Sequence, residues 1–413
     1  MADLDFLFNI TKTICDLGRN HRNIPPINEV EPFRDYFDNG KLKYDELDKV
    51  DKKDGNFSRR EILARYLLVS AVLDQGPDIT GVRMLLKDVT TNLYKEGIKI
   101  FHRPLDFFEK LDISIEKILA EHDSIKKIRA KDWAINNKSK EQKYNLFFAQ
   151  SNRGIVSTKQ VLDYSIHRWG VPLSLFLLLE KKSKTNQPLI DYLESYDSAE
   201  IMAKYLKDNE KYGLGSAIGD KASHLFAKMY VSIFNLVKDK SKDNGWSGIS
   251  YEIPFDSNAG RVLFRTGFLL KLANLEDYEE WKVIQKDKGK SGKNYIRVTN
   301  IRGKETKIIS QDSKEFEDYK KVITDYLKIG KKPRKVEIQR IPNFLIYKLN
   351  NELIKKNNNS PNDYSIADFD DGLLYIGTNY CFNHESPKCD SCPLRSICEG
   401  YRNDESLIKD YTT

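Results

Sequence analysis

Four of the chain's five cysteines, Cys381, Cys389, Cys392 and Cys398, fall inside eighteen consecutive residues and read C-x7-C-x2-C-x5-C. Thiolates this close together hold a metal or a cluster, because soft sulfur ligands select zinc or iron–sulfur. Structural zinc is usually gripped by two short-spaced pairs, each C-x2-4-C. Here one such pair is flanked by two single cysteines, a spacing that lets four ligands wrap a larger cubane. Iron–sulfur therefore leads, with zinc and then disulfides behind it. The remaining thiol, Cys15, stands far off in the sequence, a usage that fits a reducing cytosol in which a cluster survives.

Three further stretches carry residue types that could do chemistry. In Tyr212-Gly-Leu-Gly-Ser-Ala-Ile-Gly-Asp-Lys221, glycines Gly213, Gly215 and Gly219 precede a helix. Such a turn points backbone N–H groups outward to receive a phosphate; an ordinary helix start with an exposed lysine is the plainer reading. In Glu252-Ile-Pro-Phe-Asp256-Ser-Asn-Ala-Gly-Arg261-Val262, a carboxylate follows an extended stretch and sits at the mouth of a helix. The helix dipole helps keep it ionised, and Asp256 can equally be the N-cap; both can hold at once. Gln75 closes a helix just before Gly76-Pro77, where it is either a functional polar side chain or a surface residue in a turn.

These stretches, taken in order, resemble the helix-hairpin-helix DNA glycosylases, in particular the endonuclease III and mismatch adenine glycosylase branch. That branch closes on a [4Fe-4S] loop reading C-x6-C-x2-C-x5-C, and this chain has one more residue in the first gap. Ala217-Ile-Gly-Asp-Lys221-Ala is similar to the family hairpin G-V-G-x-K-x, with Ala217 replacing the first glycine. The stretch from Lys221 to Met229 also resembles the matching helix of archaeal 8-oxoguanine glycosylases. Asp256 and Arg261 keep the five-residue spacing of the family's V-D-T-H-x-x-R-V, and Gln75 occupies the place of its wedge glutamine. The resemblance covers roughly residues 58–275 and 365–401.

It implies a [4Fe-4S] cluster on the four cysteines that is structural and DNA-positioning rather than catalytic. It also implies catalysis by Lys221 and Asp256 on a base flipped from double-stranded DNA carrying a damaged or modified base. Gln75 would fill the vacated stack. Gly213, Gly215, Gly219, Arg261, Lys388 and Arg395 would contact DNA, without reading sequence. Lysine rather than serine at 221 implies a glycosylase with AP lyase activity, acting as a monomer. Two other classes stay open: a non-catalytic nucleic-acid-binding protein on the same scaffold, and an unrelated iron–sulfur protein.

The elements that must position these residues follow from length and periodicity. A chain of 413 residues with 40% hydrophobic content has material for two or three compact units. The expected fold is mainly α: two helical domains of the glycosylase type, a C-terminal iron–sulfur loop and a small insertion containing a β-hairpin. No run approaches eighteen apolar residues, and the N-terminus lacks the pattern of a secretory signal, so no membrane partner is expected, and the expected place is cytoplasmic, nucleoid-associated, or nuclear in a eukaryote. A net charge of +7 modestly favours a polyanionic partner.

The sequence divides into 1–57, a segment packing with the C-terminal domain; 58–256, a helical barrel with the hairpin; and 257–413, carrying the cluster loop. Ser58-Arg-Arg-Glu61 reads as a capping box. Helices are predicted at 6–17, 59–74, 79–96, 105–110, 114–121, 141–150, 157–167, 172–181, 187–194, 198–207, 219–238, 257–274 and 341–355. Residues 275–340 have no family counterpart; they contain a predicted hairpin over 281–310 and a basic stretch, Lys331-Lys-Pro-Arg-Lys335, expected to add DNA contact. The six histidines show no metal-ligand spacing.

Overall fold

Leu7, Ile10 and Ile14 recur at helical spacing and are fully buried along one stripe of α1 (Ala2–Asn20). The computed structural model describes residues 2–50, 55–74, 79–109, 116, 166–238, 245–268, 271, 282–288, 294–299, 336–338, 341–357, 363–382 and 387–403. Among these the chain is mainly helical. It forms two units, one of Met1–Asn23 with Ser247–Thr413 and the other of Ile24–Trp246. No helix among the described residues is long and apolar enough to cross a membrane.

The segment expected as 1–57 is thus split. After α1 the chain turns at Ile24-Pro-Pro, and Phe33 packs edge-on against Tyr66 with ring centroids 4.9 Å apart, beside Phe101. Buried Phe33, Tyr36 and Leu47 therefore belong to the core of the Ile24–Trp246 unit. The second boundary lies at 246/247 instead of 256/257. Tyr251 and Ile253 are buried, and the Ile366 N–H donates to Gly248 O at 2.8 Å, which ties this stretch to the C-terminal elements.

The Ile24–Trp246 unit is built on α2 (Arg59–Leu73), which is buried on all sides from Arg60 to its end. Around it the sequence continues through α3 (Ile79–Lys95), α4 (Leu105–Glu109), α5 (Ile166–Lys182), α6 (Pro188–Leu193), α7 (Ala199–Asp208) and α8 (Asp220–Lys228). Only half of the expected capping box forms at α2. The Ser58 side chain accepts from Glu61 N–H, but the Glu61 carboxylate turns inward. There it accepts from Arg65 Nε at 2.8 Å and from the N–H groups of Leu189 and Ile190, so it caps α6 instead. Arg65 also reaches Glu180 at 2.7 Å and lies over the Phe57 ring.

Two predicted breaks move. Helix α5 runs unbroken through Pro172, where the sequence suggested separate helices at 157–167 and 172–181. Helix α8 passes into one π-helical turn, Met229–Ile233, and the run ends there, with Asn235 at φ 45°. The helices predicted at 114–121 and 141–150, and most of 157–167, lie outside the described residues.

The second unit adds α9 (Ser257–Arg265), α10 (Ile341–Asn357), α11 (Ile366–Asn379) and α12 (Glu399–Asn403) to α1. α1 crosses α11 with backbones nearly touching: a Cβ at Gly372 would stand 2.0 Å from Ile14 O. Arg22 bridges Asp368 and Asp371 in the same crossing. The predicted helix 257–274 is interrupted at Gly267, which takes φ +80° against the side chain of Glu399; Phe268 and Lys271 are helical again, and 269–270 and 272–274 lie outside the described residues. The predicted hairpin is present as β3 (Lys282–Lys288) antiparallel to β4 (Asn294–Thr299), with β5 (Val336–Ile338) added parallel to β4.

Candidate metal centre and hairpin

Helix α9 organises the C-terminal site from both of its ends. At its start, Asp256 Oδ1 accepts from the N–H groups of Asn258 and Ala259, each at 2.9 Å, so Asp256 is the N-cap as well as the predicted reactive carboxylate. At its end lies the cysteine loop. With nine residues rising about 1.5 Å each, the two features stand roughly 13 Å apart on one rigid rod.

Arg261 was expected to touch DNA. It is 3% exposed, and its guanidinium donates to Gly377 O at 2.9 Å, to Cys381 O and to Asn258 Oδ1. A charged fork spent on two carbonyls and an amide inside the protein is a fastener between α9, α11 and the cysteine loop, which corrects the expectation. Arg265, one turn further and 4% exposed, donates from Nη1 to Phe382 O at 2.8 Å and approaches Cys381 Sγ at 3.5 Å. Sequence reasoning passed over Arg265; its i, i+4 relation to Arg261 was the available signal.

All four cysteines line one partly open pocket. Its apolar wall is Val262, Ile376 and Leu394; Arg265, Thr266, Arg395, Tyr380 and Tyr401 complete it. None of the four is in a disulfide. The loop is shaped by its own backbone: Lys388 N–H donates to Tyr380 O, Cys392 N–H to Cys389 O, and Glu399 N–H to Thr266 O. The longest gap between ligands includes 383–386, which lie outside the described residues together with His384. Among the described residues, no group of three or more His, Cys, Asp or Glu side chains closes on a single ion; the thiols stand round a cavity.

Burial, reinforced by the neighbouring thiols, pushes Cys392 up to about 12 and Cys398 up to about 11. Without bound cations these thiols hold their protons, and the Cys398 thiol donates to Arg265 O at 3.6 Å. Thiols of this kind become ligands when a positively charged centre compensates them, releasing protons as it binds. The donor set, the dry wall and the flanking arginines fit a cluster.

Lys388 and Arg395 are exposed on this loop, as phosphate contacts require. Lys388 lies over the Phe382 ring, and Arg395 sits beside Asp390 and over Tyr401. Tyr401 OH donates to Asp390 Oδ1 at 2.8 Å, which orders that corner.

The hairpin belongs to the other unit and links α7 to α8. Its glycines have distinct reasons. A Cβ at Gly213 would meet Asn209 O at 2.4 Å, and Gly215 holds φ +53°, a left-handed conformation. The Gly213 N–H donates to Asn209 O, Leu214 N–H to Leu206 O and Ala217 N–H to Leu214 O. At Gly213 the amide is therefore committed to the fold, which removes it from the expected phosphate contacts. Gly219 differs: it is the N-cap of α8, no side chain caps that end, and space beside its Cα is open. Lys221 follows in the first turn and is half-buried, while Asp220 beside it pairs with Lys207 at 2.7 Å. Gln75 lies outside the described residues.

Tyrosines hold the hairpin loop. Asn209 Nδ2 donates to Tyr196 OH, Tyr196 OH to Tyr192 OH, and Tyr192 OH to Tyr212 O, a relay that ends on the residue before Gly213. The histidines have structural partners where described: His21 stacks on Tyr375 at 3.7 Å, and His102 bonds to Tyr94 OH at 2.9 Å. Searches of protein-family models, curated proteins and solved structures find no match to this chain.

Proposed function

We propose that this chain is a base-excision DNA glycosylase with AP lyase activity, carrying a [4Fe-4S] cluster on Cys381, Cys389, Cys392 and Cys398. The observation that carries the reading is the joint use of α9. The carboxylate of the resembled motif opens the helix, and the four-cysteine pocket closes round its other end. A cluster in that pocket would clamp the C-terminal loop, with Lys388 and Arg395 facing outward toward phosphates.

In this reading Asp256 stabilises the positive charge that develops on the sugar as the N-glycosidic bond lengthens. Capping uses Oδ1 and fixes the carboxylate at the mouth of the helix. Lys221, as the neutral amine, attacks C1′ while the base leaves. The sugar ring then opens to a Schiff base, and loss of the C2′ proton expels the 3′ phosphate by β-elimination. The α8 N-terminus, with Gly219 and without a side-chain cap, supports a phosphate contact next to that lysine. Removing one base needs no sequence readout, and the exposed cations of the cluster loop serve to hold the backbone.

The test is a panel of duplexes, each carrying one damaged or modified base, incubated with the full chain and then treated with alkali. Scission at one lesion class, lost in Asp256→Asn, supports the proposal. Silence on every duplex with DNA binding intact overturns it in favour of a binding protein on the same scaffold.

A further inference from the structure

We infer that Arg265 is a positioning residue for the cluster, fixing the Cys381 corner and setting the reduction potential; this rests on the cluster reading above. Cys381 is the ligand most remote in sequence from the other three, and the protein holds it from two sides. Arg261 grips its carbonyl, and Arg265 places a cationic N–H within 3.5 Å of its sulfur. The same Arg265 nitrogen donates to Phe382 O at 2.8 Å, which fixes the guanidinium and limits how far it can drift from the sulfur.

The main chain of Arg265 is engaged as well. Its carbonyl lies 3.6 Å from Cys398 Sγ, and the carbonyl of the next residue, Thr266, accepts from Glu399 N–H. One residue at the end of α9 thereby touches both the first and the last cysteine of the motif. Exposed Arg395 pairs with Asp390, whereas Arg265 is 4% exposed and its charge acts across little water.

Two consequences follow from the charge and the N–H···S contact. Adding an electron makes a cluster more negative, so a buried cation beside a ligand sulfur stabilises the reduced state and raises the potential. The same contact withdraws electron density from the thiolate, which slows its protonation and its attack by oxidants. The Cys381 corner, left alone beyond a seven-residue gap, is where such protection matters most.

The experiment compares anaerobically purified full-length protein with Arg265→Met and Arg265→Lys. Iron and acid-labile sulfide are counted, the midpoint potential is read by voltammetry, and loss of visible absorbance is timed after adding ferricyanide with a chelator. The expected result is a lower potential in Arg265→Met with bleaching at least several-fold faster. Arg265→Lys, which keeps the charge but not the planar fork, should fall between it and the parent protein. Equal potentials and equal bleaching rates for parent and Arg265→Met overturn the inference. If Arg265→Met is recovered without iron, Arg265→Lys decides: parent-like potential and bleaching overturn it. Parent protein free of iron and sulfide is a separate result, and it overturns the cluster reading itself.

Discussion

Replacing Arg261 by methionine should weaken the C-terminal unit far more than loss of one surface charge would. The side chain is buried and donates to the carbonyls of Gly377 and Cys381, in addition to Asn258. A hydrogen bond to a charged group contributes about 1.5–3 kcal/mol, and a carbonyl left buried without its donor keeps its desolvation cost. Methionine retains much of the packing, so two lost carbonyl contacts predict about 3–5 kcal/mol. At about 1.4 kcal/mol per tenfold, the folded-to-unfolded ratio falls by roughly a hundred to a few thousand. With a urea dependence of about 2–3 kcal/mol per molar, the midpoint drops by about 1–2.5 M. Circular dichroism followed through a urea titration would read the unit. A change below about 1 kcal/mol would refute the assignment of Arg261 as the fastener.

Asp256→Asn and Asp256→Ala should separate capping from chemistry. Asparagine keeps the cap and alanine loses about 0.5–2 kcal/mol of stability in urea, while both lose base removal; equal destabilisation by the two would contradict the capping geometry. Gly372→Ala drives a methyl group to 2.0 Å from Ile14 O, so α1 and α11 must separate, and a drop of about 1–3 kcal/mol or more is expected in thermal unfolding. An unchanged melting temperature would show that the crossing is looser than described. Burial raises Glu61 above its ordinary value of 4.5, and the native state therefore binds the extra proton. Stability from this group is full below 4.5 and declines as pH rises through the raised value; Glu61→Gln should remove that slope from urea midpoints measured across pH, and an identical slope would count against it.

What could be read from the sequence was local. Helical periodicity placed α2, α3, α6, α7 and α10 within a few residues, and the four cysteines grouped by their spacing line one pocket. Asp256 as an N-cap followed from its place before an apolar-periodic run. The failures were questions of tertiary partnership. Glu61 has the right spacing for a capping box, yet Arg65 and two amides of α6 compete for it more strongly. Arg261 fits a DNA-contact motif, but buried carbonyls claim it. Helix α1 does join the C-terminal elements, as expected for the N-terminal segment, but the chain leaves that unit after Asn23, and the glycine crossing that seals the contact shows in no local pattern. At Gly213 the sequence shows a flexible residue, and only packing tells that its hydrogen atom faces a carbonyl.

Borohydride trapping tests the central claim most directly. Full-length protein is mixed with duplexes bearing single damaged bases in the presence of borohydride, alongside Lys221→Ala. The account predicts a covalent protein–DNA adduct with one lesion class that vanishes in Lys221→Ala. An adduct that persists without Lys221, or none on any lesion despite duplex binding, would contradict it.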